Sequence, residues 1–391
     1  MRPSVNNLKK TLWVNPSFLD YRVPLYGELN KKLNGSFHLL YSKERIPERC
    51  HVKINKVLGS NAHFIEHERR IKLGKAESEF ANTSVSVPIP TGLYSLIKQV
   101  KPTAIIAEGF FQFTPWAVWY TLIHNVPLYI AYERTAHTER NCPLWRRLYR
   151  QFIGRFVTGY IANGLLTKEY LISQGVKASK IYTGGMCADS ENLRILSSKM
   201  TSEEMSDFEK SINLRVCKGI RYIYVGQLIQ RKGVNHLIDA WKHHIIKYPD
   251  DQLLIVGGGA FLDLYKVQSS DMPSIIFTGD VDYSMIYKYY SISNVFIIPT
   301  LEDNWSLVVP EAMACSLPVA CSIYNGCHPE LVKHEYNGTT FDPLSISSTI
   351  KSLEYFHDVD LVQFGKNSAA LESEFNPEHA ADNIIRMLLG Y

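Results

Sequence analysis

Short apolar runs alternate with helix-patterned stretches along the whole chain, and this alternation constrains the fold more than any other feature. Strand-like runs fall at Thr11–Asn15, Phe37–Tyr41, Ala104–Glu108, Leu128–Tyr132, Gly159–Asn163 and Lys180–Thr183. A second series follows at Arg221–Val225, Gln252–Val256, Ser274–Thr278, Val295–Pro299 and Leu317–Cys321. Helical patterns such as Thr114–His124 and Val234–Lys247 lie between them. Near-continuous apolar strands separated by helices belong to parallel sheets covered on both faces. Two such series predict an α/β protein of two Rossmann-like domains. The 391 residues fit two domains of roughly 150–200 each. The expected boundaries are 1–190 for the first domain, 191–218 for a polar, strand-free linker and 219–375 for the second. A terminal helix is expected over 376–391, with Pro377 at its start and Ala381, Ile384, Ile385 and Leu388 on one face.

Composition excludes several function classes. The formal charge of +4 is spread thinly, without the dense basic face that nucleic acid requires. Seven cysteines, an odd number without a Cys-x-x-Cys pair, suit free thiols in a reducing compartment. Lys9 and Lys10 precede only Thr11–Val14 before Asn15 and Pro16, too short for a signal-peptide core. The apolar region Phe113–Tyr132 is broken by His124, Asn125 and Pro127, so it reads as helix, turn and strand and not as a membrane span. A cytoplasmic protein is the expectation. The Asn-x-Ser/Thr triplets at Asn82, Asn304 and Asn337 carry no weight in that setting.

The segment NVFIIPTLEDNWSLVVPEAMACSLPVACSIYNGCHPE, Asn294–Glu330, reads as a buried strand, a polar elbow (Leu301–Trp305) and a helix opening near Ser306. Where a strand feeds a helix N-terminus in such a sheet, free backbone N–H groups and the helix dipole favour a phosphate. Asp303 sits on the elbow and Glu311 within the helix. Carboxylates on either side of a phosphate site suit the hydroxyl-rich parts of a nucleotide-sugar. This spacing, with the Ala-Met-Ala, Pro-Val and Pro-Glu that follow, resembles the signature of family 4 retaining glycosyltransferases of the GT-B fold. That family usually reads Glu-Gly-Phe-Gly-Leu where this chain has Asp303-Asn304-Trp305-Ser306-Leu307, so the first carboxylate is one methylene shorter and both glycines are replaced. The resemblance implies two domains facing across a cleft, with the last helix crossing back to the N-terminal domain. It implies that Glu311 takes the ribose hydroxyls and Asp303 faces the donor sugar. The elbow residues Asn304, Trp305, Ser306, Leu307 and Val308 would surround the donor, with the amides of the last three on phosphate.

A second elbow, Tyr224-Val-Gly-Gln-Leu-Ile-Gln-Arg-Lys-Gly233, opens the second domain. Lys232 at its tip can neutralise a diphosphate that gains charge as the glycosidic bond breaks. In the resembling family this is the diphosphate-binding lysine, with an arginine where this chain has Gln227; Arg231 is the candidate replacement. The turn ending at Gly279 lies near the nucleotide base in that family. Val256-Gly-Gly-Gly259 lacks the full dinucleotide spacing and reads as a tight strand–helix turn. Asp280-Val-Asp282 and Asp358-Val-Asp360 have no further ligands clustered beside them, so neither is expected to hold a metal, and no cofactor is expected.

In the first domain, Tyr129–Arg140 crowds two Glu, two Arg and one His after a strand. Glu133 and His137 are candidate cleft residues and Arg134 a phosphate or acceptor contact; Glu108 is a further candidate. Trp145–Arg155 reads as a basic amphipathic helix, which either packs its apolar side as an ordinary helix does or docks on an anionic membrane surface. The resulting expectation is a metal-independent hexosyltransferase moving sugar from a nucleotide diphosphate to a saccharide, on a lipid carrier, in surface-polysaccharide assembly. The tract Asn15–Pro24 also resembles the first strand–loop of such enzymes. Two rivals stay open: a nucleotide-sugar epimerase on the same fold, and a degenerate binding or scaffold protein.

Overall fold

A computed structural model describes residues 10–74, 80, 84–89 and 91–390. The chain divides into two compact units, Met1–Cys187 with Phe375–Tyr391, and Ala188–Glu374. The first contains β1 (Thr11–Val14), β2 (Phe37–Ser42), β3 (Ala62–Ile65), β4 (Arg69–Gly74), β5 (Ser84–Ile89), β6 (Ala104–Glu108), β7 (Leu128–Tyr132), β8 (Gly159–Ala162) and β9 (Ile181–Tyr182). Seven of these form one parallel sheet in the order β3-β2-β1-β6-β7-β8-β9, while β4 and β5 pair as an antiparallel hairpin. The second unit contains β10 (Arg221–Val225), β11 (Gln252–Val256), β12 (Ile275–Gly279), β13 (Val295–Ile298), β14 (Val319–Ser322) and β15 (Gly338–Phe341). Their order is β12-β11-β10-β13-β14-β15, again all parallel.

Both sheets reverse their winding once, between β1 and β6 and between β10 and β13. At such a switch point the loops leaving the two strands diverge to opposite faces and open a crevice beyond the carboxyl ends. The central strands are buried on both faces, as their unbroken apolar sequences require. The sequence did not reveal β3, β4, β5 and β15. Of these, β3 is only half-buried and β15 reads Gly-Thr-Thr-Phe, so neither carries a long apolar run.

The terminal helix, Pro377–Leu389, belongs to the first unit. Ala381, Ile384 and Leu388 pack in one core with Tyr26 and Leu29, and Tyr129 Oη donates to the Leu388 carbonyl at 3.3 Å. The stretch read as a linker is different from its expectation. It forms two helices, Glu191–Lys199 and Ser202–Ser211, within the second unit. A reciprocal Thr201–Glu204 capping box starts the second of these, and Ser197 and Ser291 hydroxyls meet at 2.8 Å. Their charged outer faces hid them from a reading based on apolar runs. Of the glycosylation-type triplets, Asn337 is fully buried, while Asn82 lies outside the described residues.

Candidate functional site

In the second unit, the elbow after β10 is fastened to the elbow after β13. The Arg231 carbonyl accepts from the Leu301 amide at 2.8 Å and from Thr300 Oγ1 at 3.2 Å, and Arg231 Nη1 donates to the Glu302 carbonyl at 3.2 Å. Gly233 permits this approach: its φ is +67°, and a Cβ there would lie 2.2 Å from the Pro299 carbonyl oxygen. Lys232 is thereby carried to Asp303. Its Nζ lies 2.6 Å from Asp303 Oδ2, and Arg231 Nη1 lies 3.8 Å away. The two paired side chains are 13% and 15% exposed. Burial pushes the Asp303 carboxyl up, but the Lys232 ammonium outweighs it, with help from Arg231, and the net shift is downward. Asp303 Oδ1 also accepts the Trp305 amide at 3.1 Å. Asp303 is therefore held as an anion between two cations, and the group keeps one positive charge in excess.

A cavity of about 390 Å³ opens beside this group, at the carboxyl ends of β10, β11 and β12 and the start of the helix Val308–Ala314. Gln227, Leu307, Val308 and Glu311 line it, as do Gly257, Gly258, Asp280, Val281 and Tyr283. Glu311 is its principal acid. Tyr283 Oη donates to Glu311 Oε1 at 3.0 Å. Burial pushes the Glu311 carboxyl up to about 7, against the opposing hydrogen bond from the Tyr283 hydroxyl. Such a group is poised to accept from vicinal hydroxyls once ionised. Glycine forms the opposite wall for steric reasons. Gly257 has φ +133°, and its Cβ would lie 2.1 Å from the Gly226 carbonyl oxygen. The glycine turn read from sequence as a plain strand–helix connection is thus part of the cavity.

Several expected residues are placed otherwise. Trp305 and Ser306 are buried outside the cavity lining, and the Ser306 amide reaches Asn325 Oδ1 at 3.3 Å. Asn304 is half-buried and also outside the lining. Gly279 does not line the cavity; its carbonyl accepts the Gly257 amide at 2.9 Å and so supports the wall. Lys232, Arg231 and Asp303 stand beyond the lining, joined to it through the segments 227–232 and 303–307. Tyr283, Asp280 and Gly258 were missed because single residues in a turn have no periodicity. The Asp-x-Asp motifs supply caps: Asp282 accepts the Ser284 amide at 2.8 Å and Asp360 the Gln363 amide at 3.0 Å. Among the described residues, one His–Asp–His group occurs, with His244 and His357 Nε2 each 2.8 Å from Asp251 Oδ2, at the amino end of β11 and away from the cavity.

In the first unit, a cavity of about 480 Å³ lies at the β1/β6 switch point, lined by Asn15, Tyr21, Arg22, Glu108, Glu133 and Arg134 among others. Glu108 is held by Trp13 Nε1 at 3.0 Å and Arg22 Nη2 at 3.5 Å. Burial pushes its carboxyl up, against the charge of Arg22 and with that of Glu133. His137 does not line this cavity. Glu139, in the same loop, is buried and takes both Arg150 nitrogens, Nη1 at 2.5 Å and Nη2 at 3.0 Å. This ion pair overturns the basic face expected for the helix Leu144–Gly154. Arg146 and Arg150 are 8% and 9% exposed and point to the interior, whereas Leu144, Trp145, Leu148 and Phe152 are exposed. The preceding helix, Thr114–His124, likewise exposes Trp116, Trp119, Leu122 and Ile123. Among the described residues, no helix is long and apolar enough to cross a membrane.

Residues 206–370 match the family of glycosyl transferases group 1. An uncharacterized glycosyltransferase of Methanocaldococcus jannaschii is 31% identical over 139 residues, 34% of this chain and 35% of that protein. The sulfoquinovosyl transferase SQD2 of Arabidopsis thaliana is 24% identical over 67% of this chain and 49% of its own length. The chain thus spans between 30% and 49% of the length of the curated relatives it matches. The crystal structure of Anabaena HepE in complex with UDP shares the fold over 98% of this chain and 100% of that one, with a TM-score of 0.74 at 15% identity. A glycosyltransferase structure from Rickettsia africae gives a TM-score of 0.71 at 14% identity over 97% of both chains. The two units therefore have the Rossmann-like α/β folds of GT-B glycosyltransferase structures, and the match to glycosyl transferases group 1 lies within the second unit, over residues 206–370.

Proposed function

We propose that the protein transfers a hexosyl group from a nucleoside-diphosphate sugar to a hydroxyl of a saccharide acceptor, with retention and without a metal. The observation that carries this reading is the second unit's site: the Lys232–Arg231–Asp303 group beside a 390 Å³ cavity that contains Glu311. Glu311 takes the ribose hydroxyls. Lys232 and Arg231 bind the diphosphate, with the Leu307 and Val308 amides at its edge. Asp303 orients Lys232 and accepts from the sugar. The C1–phosphate bond breaks as the acceptor oxygen bonds C1 from the same face, and the departing phosphate oxygen receives the acceptor's proton. No side chain is needed as nucleophile.

The first unit takes the acceptor in its Glu108–Glu133–Arg134 cavity, where a raised carboxyl can hydrogen-bond sugar hydroxyls. The acceptor is carried on a lipid, as in surface-polysaccharide assembly, and the enzyme works peripherally on a cytoplasmic membrane face. The support for membrane contact is the exposed apolar surface of two helices, not a row of arginines. Trp119 is 60% exposed, Leu148 56% and Phe152 53%. Arg147 on the second helix and Arg155 at its C-terminal end line one cavity with Lys177 and Lys180, and these four supply the positive charge that attracts anionic lipid.

The test is a thermal-shift panel of UDP, GDP, dTDP and ADP, with and without magnesium, on the whole chain. A nucleotide at a hundred times its dissociation constant should stabilise by roughly 2.7 kcal/mol. A shift with one nucleotide, independent of metal, names the donor class for a transfer assay. No shift with any of them favours a degenerate scaffold, and sugar interconversion without acceptor favours an epimerase.

A further inference from the structure

A second cavity of the first unit, about 400 Å³, lies next to the acceptor cavity and shares Phe110, Tyr132 and Arg150 with it. Five cationic side chains line it: Arg147, Arg150, Arg155, Lys177 and Lys180. No carboxylate is among its lining residues, and Gln151 and Gln174 add neutral donors. Arg150 is paired with Glu139, which leaves Arg147, Arg155, Lys177 and Lys180 to focus positive potential around one concave site. The shared wall carries a second, independent feature. Tyr132 is 4% exposed, and its hydroxyl has no hydrogen-bond partner among the described residues; Arg150 Nε has none either. Buried polar atoms in native proteins almost always have partners, so an orphaned pair in a cavity wall marks a missing acceptor. Arg150 is held in register by Glu139, with its guanidinium over the Tyr132 ring at 5.9 Å from the centroid.

We propose that this cavity binds a phosphate or diphosphate group. This deepens the acceptor side of the function above and rests on that reading only for its role: the bound anion would be the phosphate that links an acceptor saccharide to its carrier. The helix that supplies Arg147 to the lining also carries Leu148 and Phe152, which are exposed and lie outside the lining. A lipid phosphate with its chains on that face would satisfy both surfaces.

The test uses inorganic pyrophosphate titrated calorimetrically into the full chain bearing Lys232→Ala, which disables the donor-side diphosphate contact, so failure of the donor reading does not affect the result. Saturable binding is expected, weakened at least tenfold by the added pair Arg155→Ala and Lys177→Ala. It should weaken several-fold with Tyr132→Phe, a change that leaves thermal stability unchanged or raised because the lost hydroxyl has no protein partner. Absence of saturable binding, or binding indifferent to all three substitutions, overturns the proposal. Flotation with phosphatidate-containing vesicles separates the two sources of phosphate. Competition by pyrophosphate supports the site and assigns it to a lipid headgroup. Pyrophosphate binding without competition supports the site and assigns it to a soluble anion.

Discussion

The contact between Lys232 and Asp303 gives a sharp test of how the second unit's site is organised. At 2.6 Å and the effective dielectric of a partly exposed site, the direct attraction is about 6 kcal/mol. Withdrawing both charges from water offsets most of it. The side chains are 13% and 15% exposed, between the surface and buried limits, so a net coupling of about 1–3 kcal/mol is expected. The assay is a double-mutant cycle of Lys232→Ala, Asp303→Ala and the pair, followed by urea unfolding at pH 7. Asp303→Ala alone should be the most destabilising member, because it leaves Lys232 and Arg231 without their shared carboxylate and the Trp305 amide without its acceptor. The coupling also has a pH signature. Asp303 is held below its ordinary value in the folded state, so its contribution is present above pH 3.8 and lost as pH falls through the lower folded value. Lys232→Ala should remove that acid sensitivity. If Lys232 also serves the diphosphate, its loss should weaken nucleotide affinity and lower turnover by roughly 10²–10³. A coupling below about 0.5 kcal/mol, with nucleotide affinity within threefold of wild type, would refute both the electrostatic reasoning and the assigned role.

Glu311, with its carboxyl pushed up to about 7, should make nucleotide affinity rise about tenfold from pH 6 to pH 8, and Glu311→Gln should abolish that slope. The same shift makes its contribution to stability fall as pH rises from about 4.5 to about 7, since the folded state binds the proton more tightly than the unfolded chain. Gly257→Ala should destabilise by about 2 kcal/mol or more and remove nucleotide binding, because its Cβ would lie 2.1 Å from a carbonyl oxygen. Gly279→Ala, whose Cβ meets nothing within 4 Å, should cost only the left-handed strain of about 1 kcal/mol. The triple variant Trp119→Ser, Leu148→Ser, Phe152→Ser should keep its fold and lose at least tenfold in affinity for anionic vesicles by flotation; unchanged binding would remove the membrane reading.

The sequence by itself determined the elements that rest on unbroken apolar runs. Eleven strands of the two parallel sheets were legible because a strand buried on both faces has no alternative to continuous Val, Ile, Leu and aromatic residues. Lys232, Asp303 and Glu311 were legible as candidates because the motifs around them, on two strand–helix elbows, resemble those of a known family. Tertiary structure decided which atoms meet. No local pattern shows that Lys232 and Asp303, seventy-one residues apart, form one ion pair; that follows from β10 and β13 being neighbours and from Gly233 allowing their elbows to touch. Nor could the helix Leu144–Gly154 be oriented from its own residues. Arginines and apolar side chains both span its surface, and the buried carboxylate of Glu139 draws Arg150 inward, which turns tryptophan, leucine and phenylalanine toward solvent. A helix's composition fixes what its faces carry, but the partner that pairs the most costly buried charge decides which face goes inside.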